Sequence, residues 1–580
     1  MSSRREFLRQ ASAGMAGLGA LRKAETVGSA ASDPCGNKTA RSRDRANIKQ
    51  EMLRTRSRER RELIAEAHFG RKKKATSNRG MAICSHPLAT REAVKVLAIG
   101  GNACDAALCA SITQTVIEPH MTGITGALSM LYYDADSSET TYMNGSANVP
   151  LGASVGPKGV AAGPGVPGFW AGFEAALERY GTRSKQEVMG PAIRYARGGF
   201  EIHPFLWGEM FAQCHLLGAT EAGRKIFMPE NALPRPGDLL VQQEAADTLE
   251  RLAEEGNDYF YRGEFAEEYC RVAQSGRRHL TLDDFAHYEA RWQKPAWGTY
   301  HEYKIVGAPP PDSGGAYFIE ILNLLEFIDL PTNGLPSESP EVLEQVLRAI
   351  DMVLHESNGH GDPECYPVDL DKILSKEYAA MRFELMKMGN ALPSTRPDDT
   401  HPGSNHVTVA DGNGNVATIL HTCNSLPWSN SLFVKGVTMC NVDATGMPGY
   451  RKSNYVLPNI IFKGDKPFLA SGSPSISLIQ NVLQNSLNLM GAGIPIDESV
   501  HRPRFGSHSF SSTGFSNRIL IEPDFSPDVV AEVESRGIGF DRVNPWNWHN
   551  GAFEGIQFGP EPETMVACGD PRRNSKAEGL

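Results

Sequence analysis

From Met81 onward the apolar positions fall into two rhythms, one near every second residue and one near every third or fourth, separated by turns rich in Gly, Pro, Asn and Asp. The helical rhythm predicts helices at Pro167 to Tyr180, Gln186 to Arg197, Glu244 to Glu255, Ala316 to Leu325 and Pro340 to His355. Thr90 to Leu108 reads as a helix broken by Gly100-Gly101 and restarted by Asn102, whose side chain suits an N-cap. The alternating rhythm predicts strands at Tyr303 to Ala308, Val407 to Val409, Val416 to His421 and Ile519 to Ile521. The two kinds of segment alternate without a repeat period, which implies a layered fold, α/β or α+β. No run approaches the roughly eighteen apolar residues of a membrane-spanning helix.

The chain ahead of Met81 differs in character. Residues 1–30 contain Ser3-Arg4-Arg5-Glu6-Phe7-Leu8-Arg9, a small and apolar run from Gln10 to Leu21, and Gly28-Ser29-Ala30. This resembles a twin-arginine export signal and predicts a periplasmic or secreted protein. The apolar run is short and Arg22, Lys23 and Glu25 interrupt the region after it, so a disordered basic start is the plainer alternative. Residues 31–80 form a basic extension: a solvated arm, or a contact for an anionic surface.

Of the 580 residues, 41% are hydrophobic and 22% charged, and the formal net charge is −10. That balance supports a large core and disfavours nucleic acid as a partner; small soluble substrates fit better. The ten cysteines show no CxxC pair. His355, His360, Asp362, Cys365, Asp369 and Asp371 lie close in sequence but match no metal-ligand spacing, so a loop is expected there, with no metal and no cofactor.

The chemistry is concentrated in Gly403 to Asn424. Two strand-patterned runs flank Asp411-Gly412-Asn413-Gly414-Asn415, a hairpin signal built from residues that accept positive φ. If residues 412–414 form the loop, Asp411 pairs with Asn415, and counting outward sets Ser404 opposite Thr422, with Asn424 just beyond. A two-residue turn would shift that register by one. Taken alone, this is an ordinary hairpin with a serine and a threonine at one end.

The segment resembles the self-cleaving region of the γ-glutamyltranspeptidase family, whose nucleophile becomes the new N-terminus after autocleavage. Ser404 stands at the nucleophile position, His406, Asp411, Gly414 and Asn415 match the hairpin, and Thr422 and Asn424 match the hydroxyl and amide beside the nucleophile. Further matches occur at Ser85-His86-Pro87, Gly100-Gly101-Asn102, Glu118-Pro119-His120, Pro309 to Gly315, Gly472-Ser473-Pro474, Arg502-Pro503-Arg504 and Asp570-Pro571-Arg572-Arg573. The resemblance implies an α+β fold, a four-layer αββα sandwich of the N-terminal nucleophile hydrolase type. It also implies a large-subunit region, 81–403, and a small-subunit region, 404–580, that remain together as a heterodimer. The implied activity is acyl transfer or hydrolysis of a small γ-glutamyl or related amide, with Ser475 and Ile476 as backbone oxyanion donors.

The resemblance weakens at substrate recognition. The family's carboxylate-binding arginine aligns with Ser146, and its serine pair with Asn454-Tyr455; Asp443 is the acidic residue nearest the expected amine-binding position. Ser473 completes the expected substrate-binding set, and Arg451 or Lys452 offers a positive charge from elsewhere. Thr400, which also precedes a histidine, is a rival cleavage point. A non-glutamyl amide substrate, and an uncleaved, catalytically silent binding protein on the same fold, remain open at this stage.

Overall fold

The strand alternation resolves into three apolar layers. In the computed structural model the described residues are 66–153, 165–275, 280–356, 361–388, 403–423, 427–440, 446–511, 514–559 and 564–580. The export-signal region, most of the basic extension, Thr400, Asn424 and Asp443 lie outside them. Among the described residues no helix is long and apolar enough to cross a membrane.

Two seven-stranded antiparallel sheets form the centre. The first runs, in spatial order, Lys576–Gly579, Gly80–Cys84, Ser404–Asp411, Val416–Thr422, Ala127–Asp134, Glu139–Gly145 and Arg291–Gln293. The second runs Lys74–Ser77, Met565–Cys568, Ile556–Phe558, Lys466–Ser471, Asn459–Lys463, Tyr303–Gly307 and Ala296–Tyr300. Sheet pairing thus begins at Lys74, before Met81.

Successive strand residues face opposite sides of a sheet, and the burial follows that rule. Val407, Val409, Ala417 and Ile419 pack with the helices Pro87–Ala98, Ala103–Ile117 and Phe169–Tyr180. Ala410, Val416 and Leu420 face the other way, packing with Val306, Ile460, Phe462 and Ala470 between the sheets. Beyond the second sheet, Ile305, Ile461 and Leu469 pack with Gly314–Leu325, Pro340–Glu356 and Leu478–Ala492. The order is therefore helix, sheet, sheet, helix, the expected α+β sandwich.

The hairpin is pinned by its own turn. Asp411 Oδ1 accepts from the Asn413 and Asn415 amides at 2.9 and 3.1 Å, and its Oδ2 accepts from Asn415 Nδ2 at 2.9 Å. The same Oδ2 accepts from the Ala103 amide at 3.0 Å, tying the turn to a helix N-terminus, where negative charge is favoured. That helix begins as the sequence indicates: Asn102 and Asp105 form a capping box. Ala410 pairs with Val416, the loop holds 412–414, and Ser404 stands opposite Thr422.

Gly126 sits where a neighbouring strand reaches this pair. A Cβ there would lie 2.1 Å from the Thr422 carbonyl oxygen, a backbone atom that cannot move aside. Gly126→Ala should therefore destabilise the protein by ~1–3 kcal/mol. Gly190→Ala, in the helix Lys185–Gly198 with nothing within 4 Å, should be neutral or stabilising. Thermal denaturation of the two variants checks this; equal midpoints would contradict it.

Candidate active site

Strand alternation sends Ser404, His406 and Thr408 to the inter-sheet side, with Thr418 and Thr422 opposite on the partner strand. Ser404 is 6% exposed and its neighbours less so, so this polar stripe is closed off from bulk solvent. Two contacts converge on the Gly403–Ser404 peptide. The Ser475 amide donates to Ser404 Oγ at 3.0 Å, and the Thr422 hydroxyl donates to the Gly403 carbonyl oxygen. One donor thus addresses the Ser404 hydroxyl oxygen and another the carbonyl beside it.

Ser475 reaches that position at φ +94°, in the left-handed region that costs a non-glycine residue energy. Its hydroxyl donates to the His549 carbonyl at 3.0 Å, which anchors the strained residue. Before it, Ser473 is held by Asn481 Nδ2 at 2.7 Å and donates to the Pro474 carbonyl at 2.9 Å. Ile476 follows, buried. Gly472 must be glycine, because a Cβ would stand 2.1 Å from His406 Nε2.

His406 and His421 are supports. His406 Nε2 meets the Thr418 hydroxyl at 3.0 Å; His421 Nδ1 and Nε2 meet Thr122 Oγ1 at 2.8 Å and Gln114 Oε1 at 3.0 Å. Burial lowers both pKa values to about 3, with His421 adding to the effect on His406. Neither serves as a general base near neutral pH.

Of the expected substrate residues, Ser146, Asn454 and Tyr455 gather around the loop 309–315. Ser146 Oγ donates to Asp312 Oδ1 at 2.5 Å, beside Ser129 and Tyr142, which donate to Oδ2 at 2.7 and 2.6 Å. Burial raises the Asp312 pKa, opposed by those hydroxyls and by Arg451. Asn454 donates its amide to the Pro311 carbonyl at 2.9 Å, and Tyr455 packs its ring against Tyr317. Asp312, Ser129 and Tyr142 carry no signal in the sequence that marks them out, although Asp312 lies in the motif Pro309 to Gly315.

The two candidate cations, Arg451 and Lys452, separate here. Arg451 and Asn148 form a bridge, flanked by Val149 N–H to Tyr450 O and Lys452 N–H to Ala147 O, both 2.9 Å. Arg451 donates to Asn148 Oδ1 and the Glu289 carbonyl and lies 4.3 Å over the Tyr288 ring, a structural assignment. Lys452 stands across from Ala147, which packs with Cys423 beside Thr422. In the acidic cluster, Asp362 accepts from Arg291 and from the Arg451 amide, both at 2.7 Å, and Asp369 caps a short helix; both serve the loop.

The gamma-glutamyltranspeptidase family model matches residues 89–580. A glutathione hydrolase proenzyme of Bacillus subtilis (strain 168) is 29% identical over 551 residues, covering 86% of this chain and 91% of that protein. An acylase ACY 1 proenzyme of Pseudomonas sp. (strain SE83) is 29% identical over 471 residues, covering 75% and 83%. A cephalosporin acylase from Bacillus halodurans has the same fold, with TM-score 0.77, 22% identity, and coverage of 88% and 97%.

The buried histidines set an acid limit on stability. The unfolded chain takes up a histidine proton near pH 6.5 that the folded chain refuses until about pH 3. Each histidine therefore supports the fold above pH 6.5, and that support is lost as pH falls through this window, by up to ~1.4 kcal/mol per pH unit. His406→Gln should flatten the pH dependence of urea stability between pH 4 and 6.5 by about one proton. An unchanged slope would contradict the assignment.

Proposed function

The chain belongs to the gamma-glutamyltranspeptidase family, and from that membership we propose an amide hydrolase and acyltransferase that matures by cutting itself between Gly403 and Ser404. The observation that carries the proposal is the pair of donors at that peptide: Ser475 N–H on Ser404 Oγ and the Thr422 hydroxyl on Gly403 O. In the first step Ser404 Oγ bonds to the Gly403 carbonyl carbon, and Thr422 stabilises the charge gathering on the carbonyl oxygen. The Gly403–Ser404 C–N bond then breaks, and the hydroxyl proton ends on the new amine. Water hydrolyses the resulting ester, leaving a Gly403 carboxylate and a Ser404 that carries a free hydroxyl and a free α-amine.

That amine then serves as the general base. Its unperturbed pKa of about 7.7–8.0 leaves a useful neutral fraction at physiological pH, so no histidine relay is needed. The acyl donor is a small amide, its acyl group passing to Ser404 and then to water or an amine, with the Ser475 and Ile476 amides serving the oxyanion. Asn424 and Asp443 belong to the same proposed site, as do Ser146, Ser473, Asn454 and Tyr455. The two chains produced stay together as a heterodimer, and the arginine pair at Arg4-Arg5 supports export to the periplasm.

One observation favours acyl groups other than γ-glutamyl. Where the family pattern places a cation, Ser146 is hydrogen-bonded to a carboxylate, and serine cannot supply an arginine's paired charge-assisted bonds. Release from a simple acyl anilide should therefore exceed release from a γ-glutamyl anilide; the reverse would restore the γ-glutamyl reading.

Maturation is read by intact mass under denaturing conditions. The parent should give two chains meeting at Gly403 and Ser404, Ser404→Ala one chain, and Thr422→Ala cleavage slowed roughly 10- to 1000-fold. A parent that stays whole, or a second chain starting at Thr400, would overturn the assignment.

A further inference from the structure

Ser404 and Thr422 face forward between the sheets, so their strand neighbours Asn405 and His421, themselves a cross-strand pair, face backward toward the helices. Both are fully buried, and behind them converge three motifs that the catalytic assignment leaves unused. Ser85-His86-Pro87 opens the helix Pro87–Ala98, with His86 as its N-cap. Glu118-Pro119-His120 closes the helix Ala103–Ile117, with Glu118 as its C-cap. Asp570 to Arg573 forms the turn after the strand Met565–Cys568.

The contacts form a circuit. Arg573 donates to Asn405 Oδ1 at 2.8 Å and lies 3.8 Å from Glu118 Oε1. Glu118 Oε2 accepts from Gln114 Nε2 at 3.1 Å. With that nitrogen committed, Gln114 Oε1 accepts from His421 Nε2, and His421 Nδ1 accepts from the Thr122 hydroxyl. The path Asn405–Arg573–Glu118–Gln114–His421 thus begins and ends on the two residues that back the reacting pair.

The surroundings make Arg573 the charge that matters. His86, His120 and His203 are buried, with pKa values lowered first by burial and then by neighbouring charge, so all three are neutral near pH 7. Asn574 Nδ2 meets His203 Nδ1 at 2.7 Å, and Phe205 lies under the Arg573 guanidinium at 5.1 Å. Glu554, bonded to the Ser85 hydroxyl at 2.8 Å, has its pKa raised well above normal by burial. Burial also raises Glu118 to about 7, against the pull of Arg573, Gln114 and Asn405. A buried guanidinium that bonds Asn405 and stands beside the buried Glu118 carboxyl is costly to displace, which suits it to hold a strand in place.

We propose that Arg573 is a positioning residue: by gripping Asn405 and, through Glu118 and Gln114, His421, it fixes the strand ends that aim Ser404 and Thr422 at the reacting carbonyl. Arg573 touches neither substrate nor the Gly403–Ser404 peptide and acts through the backbone. The inference rests on the self-cleavage proposed above, because its effect is read in that reaction and in turnover.

The test compares parent, Arg573→Met, Asn405→Ala and the double variant for precursor cleavage rate by intact mass, kcat and KM on an acyl anilide, and thermal midpoint. Misplacing reacting groups by about 1 Å costs roughly 100-fold, so each single variant should lose roughly 10- to 100-fold in cleavage rate and kcat with KM nearly unchanged. The double variant should be no worse than the slower single one, because both cut the same link. Should Arg573→Met fail to accumulate, Asn405→Ala, which leaves every buried charge in place, carries the test alone. A cleaving parent with Asn405→Ala at parental rates, or with losses that multiply in the double variant, overturns the positioning role while leaving self-cleavage intact. A parent that never cleaves overturns both.

Discussion

Strand register is the constraint on which the site depends. Side chains alternate with a period of two, so a one-residue slip between Ser404–Asp411 and Val416–Thr422 would turn the serine and threonine away from each other. The Asp411 carboxylate prevents that slip by binding the turn from within and the Ala103 amide from without. An interaction at one end of the hairpin thereby decides which groups meet at the other. The same alternation gives the strands their two apolar faces, so the fold and the site have a common geometric origin.

Interleaving of the segments before and after residue 403 means that the cut proposed at Ser404 would leave the architecture standing. In the first sheet, strands from before residue 403 flank strands from after it, and the second sheet mixes them as well. Separating the halves would strip ladder hydrogen bonds and expose the layer shared by Met81, Leu131, Val306, Ala410 and Ile460. The proposed cut falls at the start of a strand, where few hydrogen bonds would need to change.

The sequence exposed the local rules and concealed the distant meetings. Alternation and turn chemistry sufficed for Ser404 opposite Thr422, and Asn102 for the restarted helix, because each depends on residues close along the chain. Ser475 above Ser404 depends on a loop of the second sheet and became accessible only through the resemblance. Asp312 beneath Ser146, and Arg573 behind Asn405, join residues more than a hundred positions apart with no periodic signature. The strand at Lys74–Ser77 was hidden for another reason. Its first residue, Lys74, continues the Arg71-Lys72-Lys73 run before it, while its pairing partner is near the C-terminus.

Bond chemistry and substrate recognition respond differently to substitution in such a site. At Ser475 the interacting group is a backbone amide, and the residue's identity enters through whether φ +94° is tolerated; the His549 carbonyl helps to hold the serine there. At 404 the proposed nucleophile needs only a hydroxyl on the right face of the strand. Recognition of a γ-glutamyl carboxylate requires a positive charge at a particular place, which no backbone substitutes. Ser146 bonded to Asp312, and Arg451 bound by Asn148 and Glu289 over Tyr288, redirect the charge around that loop toward internal structure. The means of breaking an amide therefore rests on register and backbone geometry, the choice of amide on side-chain charge, and family membership constrains the first far more tightly than the second.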